Sequence, residues 1–297
     1  MATIVQKIFG ARKPTSANKL AAENSNEGAS PSRLANSLHL DLAQFIVGCA
    51  QSVGKQREHN EDALFSLTTN LVVGDEYSPF GLYIVADGMG GHLHGEIASS
   101  LAVMVMASFV IQKNLEAMLL PKSATTPNVA QEILRVGTLE AHQTIVKNVP
   151  GGGTTLTCAL LSGDQLTISH VGDSRVYQLS GNGSIRSLTR DHSLVQRLVE
   201  EGQLNQEQAA VHPQKNVLYR ALGQTEDLDP EITSYALNSA SYLLLCSDGL
   251  WGVVSENELV HIVFTAPNPQ VACQQMVEAA NIAGGPDNIT AILVHIP

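Results

Sequence analysis

The chain has 297 residues, 44% of them apolar and 15% charged, which excludes wholesale disorder and gives room for one large domain or two small ones. Its 17 Lys and Arg stand against 28 Asp and Glu, a formal charge of −11. That balance opposes binding to nucleic acid or an anionic lipid surface, and suits a cation site if some of the carboxylates converge.

Residues 1–40 hold five Lys or Arg, two Glu and a Ser/Ala/Asn-rich stretch without periodicity. They read as a flexible N-terminal tail lacking the apolar core of a secretory signal, and 41–297 reads as the folded domain. From Gln44 onward, short β-rich runs dominate: 44–50, a run after Asp62, 82–86, 154–161, 165–171 and 175–179, then runs from 232, 242 and 289. Loops such as SGDQ and SGNGS separate neighbouring runs by a few residues, which is hairpin spacing and favours antiparallel pairing. Helical stretches fall at about 95–119 and 127–148, and again near 255–265 and 268–283. Ser255 with Glu258, Ser193 with Gln196, and Asn268 before Pro269 supply helix starts. Strands in meanders with helices in pairs make an α+β layout. The apolar stretch Ile97 to Gln112 is shorter than the ~20 residues of a membrane span and reads as a buried helix, so no span is expected. Cys49, Cys158, Cys246 and Cys273 form no C-x-x-C pair and sit among apolar neighbours. They read as reduced thiols of a cytoplasmic protein, not as a zinc site or a disulfide framework.

Two apolar runs end alike: LYIVA leads into Asp87-Gly88, and YLLLC-Ser247 into Asp248-Gly249. An Asp-Gly pair after a strand is ordinarily turn chemistry. A strand apolar on both faces is central, however, so its terminal Asp lies at the rim of a packed core, and two such rims can face one cleft. Further acids flank strands beside small residues: Glu61-Asp62 after Arg57, Asp173 in HVGDSRVY between two strands that read as a hairpin, and Asp287 in GGPDN before the last strand. Carboxylates gathered together repel one another, and a divalent cation relieves that repulsion. Oxygen ligands without a Cys/His set select hard ions such as Mg²⁺, Mn²⁺ or Ca²⁺, and no EF-hand loop is present. Gly151-Gly152-Gly153-Thr154-Thr155 lacks the Lys-Ser/Thr pair and following helix of a P-loop.

In family order, Arg57-x-x-x-Glu61-Asp62, Asp87-Gly88-Met89-Gly90-Gly91, Gly153-Thr154-Thr155, Gly172-Asp173-Ser174-Arg175, Ser247-Asp248-Gly249 and Asp287-Asn288 resemble the metal-dependent Ser/Thr protein phosphatases of type 2C, in their bacterial single-domain branch. The resemblance covers about 44–297. It implies a four-layer α/β/β/α sandwich of two mainly antiparallel sheets flanked by helices. It also implies two Mn²⁺ or Mg²⁺ ions with a weaker third, and hydrolysis of phosphoserine or phosphothreonine by in-line attack of a metal-bridging water. Carried over residue by residue, Asp87 bridges the ions, Gly88 ligates through its carbonyl, Asp248 and Asp287 bind one ion, Glu61 acts through water, Asp62 supports the shell and Asp173 holds the third ion. Arg57 binds the phosphate. Where some members carry His after Asp-Gly, this chain has Met89, which leaves His92, His59 or a metal-bound water as the proton source. The segment 189–223 resembles the family's flap, where Arg190, Arg197 and Lys215 either read the substrate peptide or belong to a solvated face. Phosphorylated Ser/Thr proteins are the implied partners, with a cognate Ser/Thr kinase; neither nucleic acid nor an oligomer is implied. The competing reading is a catalytically inactive module that docks a signalling partner, against which stands the presence of every matching acid.

Overall fold

A computed structural model describes residues 44–73, 76–90, 93–119, 127–224, 227–237 and 241–297; the tail expected over 1–40, and Gly91 and His92, lie outside the described residues. Among the described residues, eleven strands and seven helices follow in the order β1 (Ile46–Ser52), β2 (Asp62–Val73), β3 (Glu76–Met89), α1 (Leu93–Leu119), α2 (Pro127–Asn148), β4 (Gly153–Thr154), β5 (Leu156–Ser162), β6 (Gln165–Val171), β7 (Arg175–Ser180), β8 (Ile185–Ser187), α3 (Leu194–Glu200), α4 (Gln206–Ala210), β9 (Glu231–Ala236), β10 (Ser241–Cys246), α5 (Asp248–Trp251), α6 (Glu256–Thr265), α7 (Pro269–Ile282) and β11 (Ile289–Ile296). One sheet runs β1-β11-β10-β7-β8 and the other β2-β3-β5-β6-β9, with β4 paired to β3.

The period-two alternation of the central strands divides their side chains between separate cores. In β3, Leu82, Ile84 and Ala86 face α1 and α2, while Tyr83 and Val85 pack between the sheets. In β10, Leu244 and Cys246 join the layer shared with α6 and α7, while Leu243 and Leu245 meet the opposite sheet. Both faces are covered, so the runs Leu82–Ala86 of β3 and Leu243–Cys246 of β10 are apolar on both faces, and both strands lie inside their sheets with neighbours on either side. The layers are therefore helix, sheet, sheet, helix, the α+β sandwich the sequence implies.

Several local expectations need correction. Gly172-Asp173-Ser174 does not close a hairpin: β6 belongs to one sheet and β7 to the other, so the chain crosses between sheets there, with Gly172 at φ +111°. Asp248-Gly249, read from the sequence as a strand-end site and not as a turn, opens α5. Ser193 caps α3 by accepting from Gln196 N, but the Gln196 amide donates to Glu200 instead of returning the bond, so the capping box is half formed. Helix α1 (Leu93–Leu119) matches the helical stretch expected over about 95–119, but its apolar part is longer than the 97–112 read from the sequence. Its stretch His94–Asn114 could span a membrane by length and composition alone. Its Ala98, Ala102, Met106 and Val110 are wholly buried in the core shared with β3 and α2, whereas Met104 is 65% exposed, so one stripe of the helix is buried. The four cysteines are unpaired.

Candidate active site

Antiparallel register gathers the acids. Asp62 opens β2 and stands directly across from Asp87 near the end of β3. Cys246, just before Asp248, pairs both with Arg175 at the start of β7 and with Ala291 near the start of β11. Starts and ends alternate along each sheet, so the loops carrying Asp173, Asp248 and Asp287 emerge at one edge. There Glu61, Asp87, Gly88, Asp173, Asp248 and Asp287 line one cleft of about 270 Å³, with Arg57 at its rim.

Each backbone position is fixed by hydrogen bonds. Asp87 N donates to Thr155 Oγ1 at 2.9 Å, and Thr155 N and Thr154 Oγ1 each donate to Asp87 O at 2.9 Å. Gly88 N donates to Glu61 O at 3.1 Å. A Cβ at Gly88 would collide with the carbonyl oxygens of Gly95 and Glu61, so this approach of α1 to the strand end requires glycine. Asn288 joins three segments: its Oδ1 accepts from Glu61 N at 2.8 Å, and its Nδ2 donates to Val53 O and His59 O, both at 2.9 Å. Asp62 is buried, and its Oδ2 accepts from Thr290 Oγ1 at 2.6 Å and Ser247 Oγ at 2.8 Å. Ser247 sits at the N-cap of α5 but makes no capping bond.

Withdrawal from water dominates the electrostatics, and mutual repulsion adds to it. The Asp62 carboxyl is pushed up to about 7 by burial, against the pull of the Thr290 and Ser247 hydroxyls, with Asp248 and Asp287 pushing further. Asp248 is pushed up to about 6 by burial and then by Asp287, while hydrogen bonding with Asp87 and the charge of Arg57 pull it down. Asp87 is held well above the usual carboxylate range by burial, then by Asp62, Asp248, Asp173 and Asp287. Asp173 is raised likewise, by burial first and Asp248 next.

Two arginines stand among these acids. Arg57 Nη2 meets Asp287 Oδ2 at 2.7 Å, with half of the Arg57 side chain exposed. Arg175 grips Asp191 through Nε and Nη2 at 2.9 and 2.7 Å. It donates to Tyr177 OH at 2.7 Å and lies 3.5 Å over the Trp251 ring. Asp191 and Trp251 were not singled out from the sequence, and no spacing signal connects them to Arg175. Asn288 was visible only as the neighbour of Asp287.

The residues suit a hard divalent cation on charge and donor type: Asp248 Oδ1 and Asp62 Oδ1 are buried without hydrogen-bond partners, and anionic oxygen outnumbers local cationic nitrogen. The donors line one cleft without closing on a point. Among the described residues, no three acidic, imidazole or thiol groups are arranged tightly enough to hold an ion as they stand.

Comparison with known proteins agrees with this arrangement. The family model "Protein phosphatase 2C" matches residues 47–289. The serine/threonine phosphatase stp of Listeria welshimeri is 37% identical over 244 residues, covering 82% of this chain and 92% of the relative. The serine/threonine phosphatase of S. agalactiae superposes with a TM-score of 0.71 at 29% identity, covering 85% of this chain and all of that one. The catalytic domain of the serine/threonine protein phosphatase PstP, solved in complex with 2 manganese ions, gives 0.67 at 29% identity over 85% of this chain and 98% of its own. The chain belongs to the protein phosphatase 2C family and is a protein-serine/threonine phosphatase.

Proposed function

We propose that the enzyme hydrolyses phosphoserine and phosphothreonine in proteins with the help of two divalent cations, Mn²⁺ or Mg²⁺. Asp87, Asp248, Asp287 and the Gly88 carbonyl hold them, Glu61 adds support through water, and Asp173 serves a weaker third position. Bound there, such ions supply an activated water as nucleophile and neutralise the phosphate oxygens. The observation carrying this reading is the convergence of Glu61, Asp87, Asp173, Asp248 and Asp287 on one cleft of about 270 Å³. The elevated carboxyls and the partnerless Asp248 Oδ1 add to it. The manganese in the PstP structure points to the same donor chemistry.

The protein's own groups have distinct tasks. Asp62 accepts two hydroxyl hydrogen bonds and braces the strand end opposite Asp87. Arg57 uses Nη2 on Asp287, and the rest of its exposed guanidinium is available to the phosphate, where a planar set of donors matches two oxygens at once. His92 is the proposed proton donor to the leaving serine or threonine oxygen, on sequence position alone.

The test is hydrolysis of a phosphothreonine peptide by the full chain with Mn²⁺. Activity should vanish with EDTA, and Asp248→Asn should lower kcat/KM by about a hundredfold or more. Undiminished turnover by a folded Asp248→Asn protein would overturn the assignment.

A further inference from the structure

At the root of the flap segment lie two buried histidines that the proposed chemistry does not use, His170 and His192, with ring centroids 4.9 Å apart. Their hydrogen bonds fix both tautomers. His170 Nε2 stands 3.0 Å from Arg190 O, which can only accept, so that nitrogen carries a proton. Burial, and then the nearby His192, push the His170 pKa down to about 3, so the ring is neutral and its Nδ1 accepts from Thr157 Oγ1 at 2.9 Å. His192 Nδ1 stands 3.2 Å from Gly172 N, which can only donate, so the proton of this ring is on Nε2 and is directed to Glu231 Oε2 at 3.3 Å. Strand register supplies that carboxylate, because Glu231 opens β9 directly across from His170 of β6.

The two rings join the flap segment to the crossing between the sheets. His192 holds both backbone groups of Gly172: its N–H donates to Gly172 O at 2.7 Å, and its Nδ1 accepts from Gly172 N. The residues beside it continue the seam, Arg190 O accepting from His170 and Asp191 gripping Arg175. Tyr219 N donates to His192 O at 3.0 Å, which brings the far end of the segment back to the same place. Asp173 lies between the fastened positions 172 and 175, and its carboxylate lines the acidic cleft. Glycine has wide backbone freedom, so the φ of +111° at Gly172 is set by these bonds and not by the residue itself. On either side of His192, Asp191 and Ser193 line, with Arg175 and Trp251, a second cleft of about 520 Å³ that shares Asp173, Asp248 and Asp287 with the first. The His192 side chain itself is fully buried.

Resting on the reading of Asp173 as an ion-holding acid, we propose that His192 is a positioning residue for the phosphatase reaction and that Glu231 orients it. Glu231 keeps the proton on Nε2, Nδ1 is left free to hold Gly172, and Gly172 aims Asp173 into the cleft. A carboxylate that fixes a histidine tautomer in this way acts on the site through the groups the ring holds.

The test uses the full chain. His192→Leu removes the acceptor and fills a similar volume, His192→Asn keeps an acceptor in the place of Nδ1, and Glu231→Leu removes a carboxylate whose side chain is already 30% exposed. Trp251 is the only tryptophan of the chain and gives its N–H to Asp173 O at 3.0 Å. In EDTA-treated protein its emission should therefore shift in His192→Leu and return toward the wild-type spectrum in His192→Asn. In calorimetry with Mn²⁺, the weakest binding step should lose about tenfold in affinity in His192→Leu while the tighter steps hold, and kcat on a phosphothreonine peptide should fall about tenfold with KM nearly constant. Glu231→Leu should reproduce these losses at about threefold, and Glu231→Gln, which still accepts from Nε2, should recover most of them. An unchanged Mn²⁺ isotherm in folded His192→Leu, or a loss that His192→Asn fails to recover, would overturn the positioning role and leave the two-cation reading intact. Should His192→Leu not fold, equal affinity and kcat in Glu231→Leu and Glu231→Gln would overturn it instead. A wild-type protein that neither binds Mn²⁺ nor needs it to hydrolyse the peptide would overturn the two-cation reading, and the proposal with it.

Discussion

Two arginine–aspartate pairs stand at the same cleft and differ in almost every physical respect. Arg175 and Asp191 are bonded through two nitrogens, their side chains 24% and 8% exposed, with the guanidinium also held by Tyr177 and Trp251. Burial acts to lower the Arg175 pKa, and the hydrogen bonds and charge of Asp191 more than offset this, leaving it raised. Arg57 and Asp287 share one contact, with side chains 50% and 26% exposed. The first pair holds the inter-sheet crossing, the β7 start and α5 together. The second leaves donors facing solvent at the mouth of the site. Charge locked from all sides builds a site; charge held by one bond can be lent to a substrate.

The sharpest way to break this contrast is to delete each arginine. Arg175→Ala leaves Asp191 buried without its partner, a cost of about 3–5 kcal/mol. At roughly 2–4 °C per kcal/mol for a domain of this size, thermal denaturation should register a large fall. Arg57→Ala removes an exposed pair worth at most about 1 kcal/mol, so its melting point should barely change, while kcat/KM on a phosphopeptide falls about a hundredfold. Equal melting shifts for the two variants would erase the distinction.

A smaller effect follows from the acids between the pairs. Asp248 and Asp62 are raised to about 6 and about 7 in the fold, above an unfolded value near 3.9. A carboxyl with a raised folded pKa favours the native state while protonated, and that contribution is lost as pH rises through the folded value. The melting point of the EDTA-treated protein should therefore drop by a few degrees between pH 5 and pH 8, and Mn²⁺ should reverse the drop. A metal-free protein growing steadily more stable up to pH 8 would contradict the crowding of these groups.

The sequence made the central strands readable because their alternation has an unambiguous cause: Leu243 and Leu245 face one core, Leu244 and Cys246 another, so the run before Asp248 is apolar without a break. The acids that end such runs were readable for the same reason. The path through Gly172 was not, because the partners of β6 and β7 are chosen by strands distant in the chain, β9 and β10, and the short spacing imitates a hairpin. A local polar pattern misled where another partner competed: the Gln196 amide turns to Glu200, one helical turn on, and leaves the expected capping box half formed. The second cleft was illegible because Trp251, Arg175 and Asp191 meet only through tertiary packing.

Calorimetric titration of Mn²⁺ into the full chain, freed of metal with EDTA and held at neutral pH, tests most directly whether acids far apart in sequence form one cation site. Saturable binding of at least two ions per chain, lost or strongly weakened in Asp87→Asn, is the expected result. Heats no greater than dilution, or superimposable isotherms for the wild-type and Asp87→Asn proteins, would contradict it.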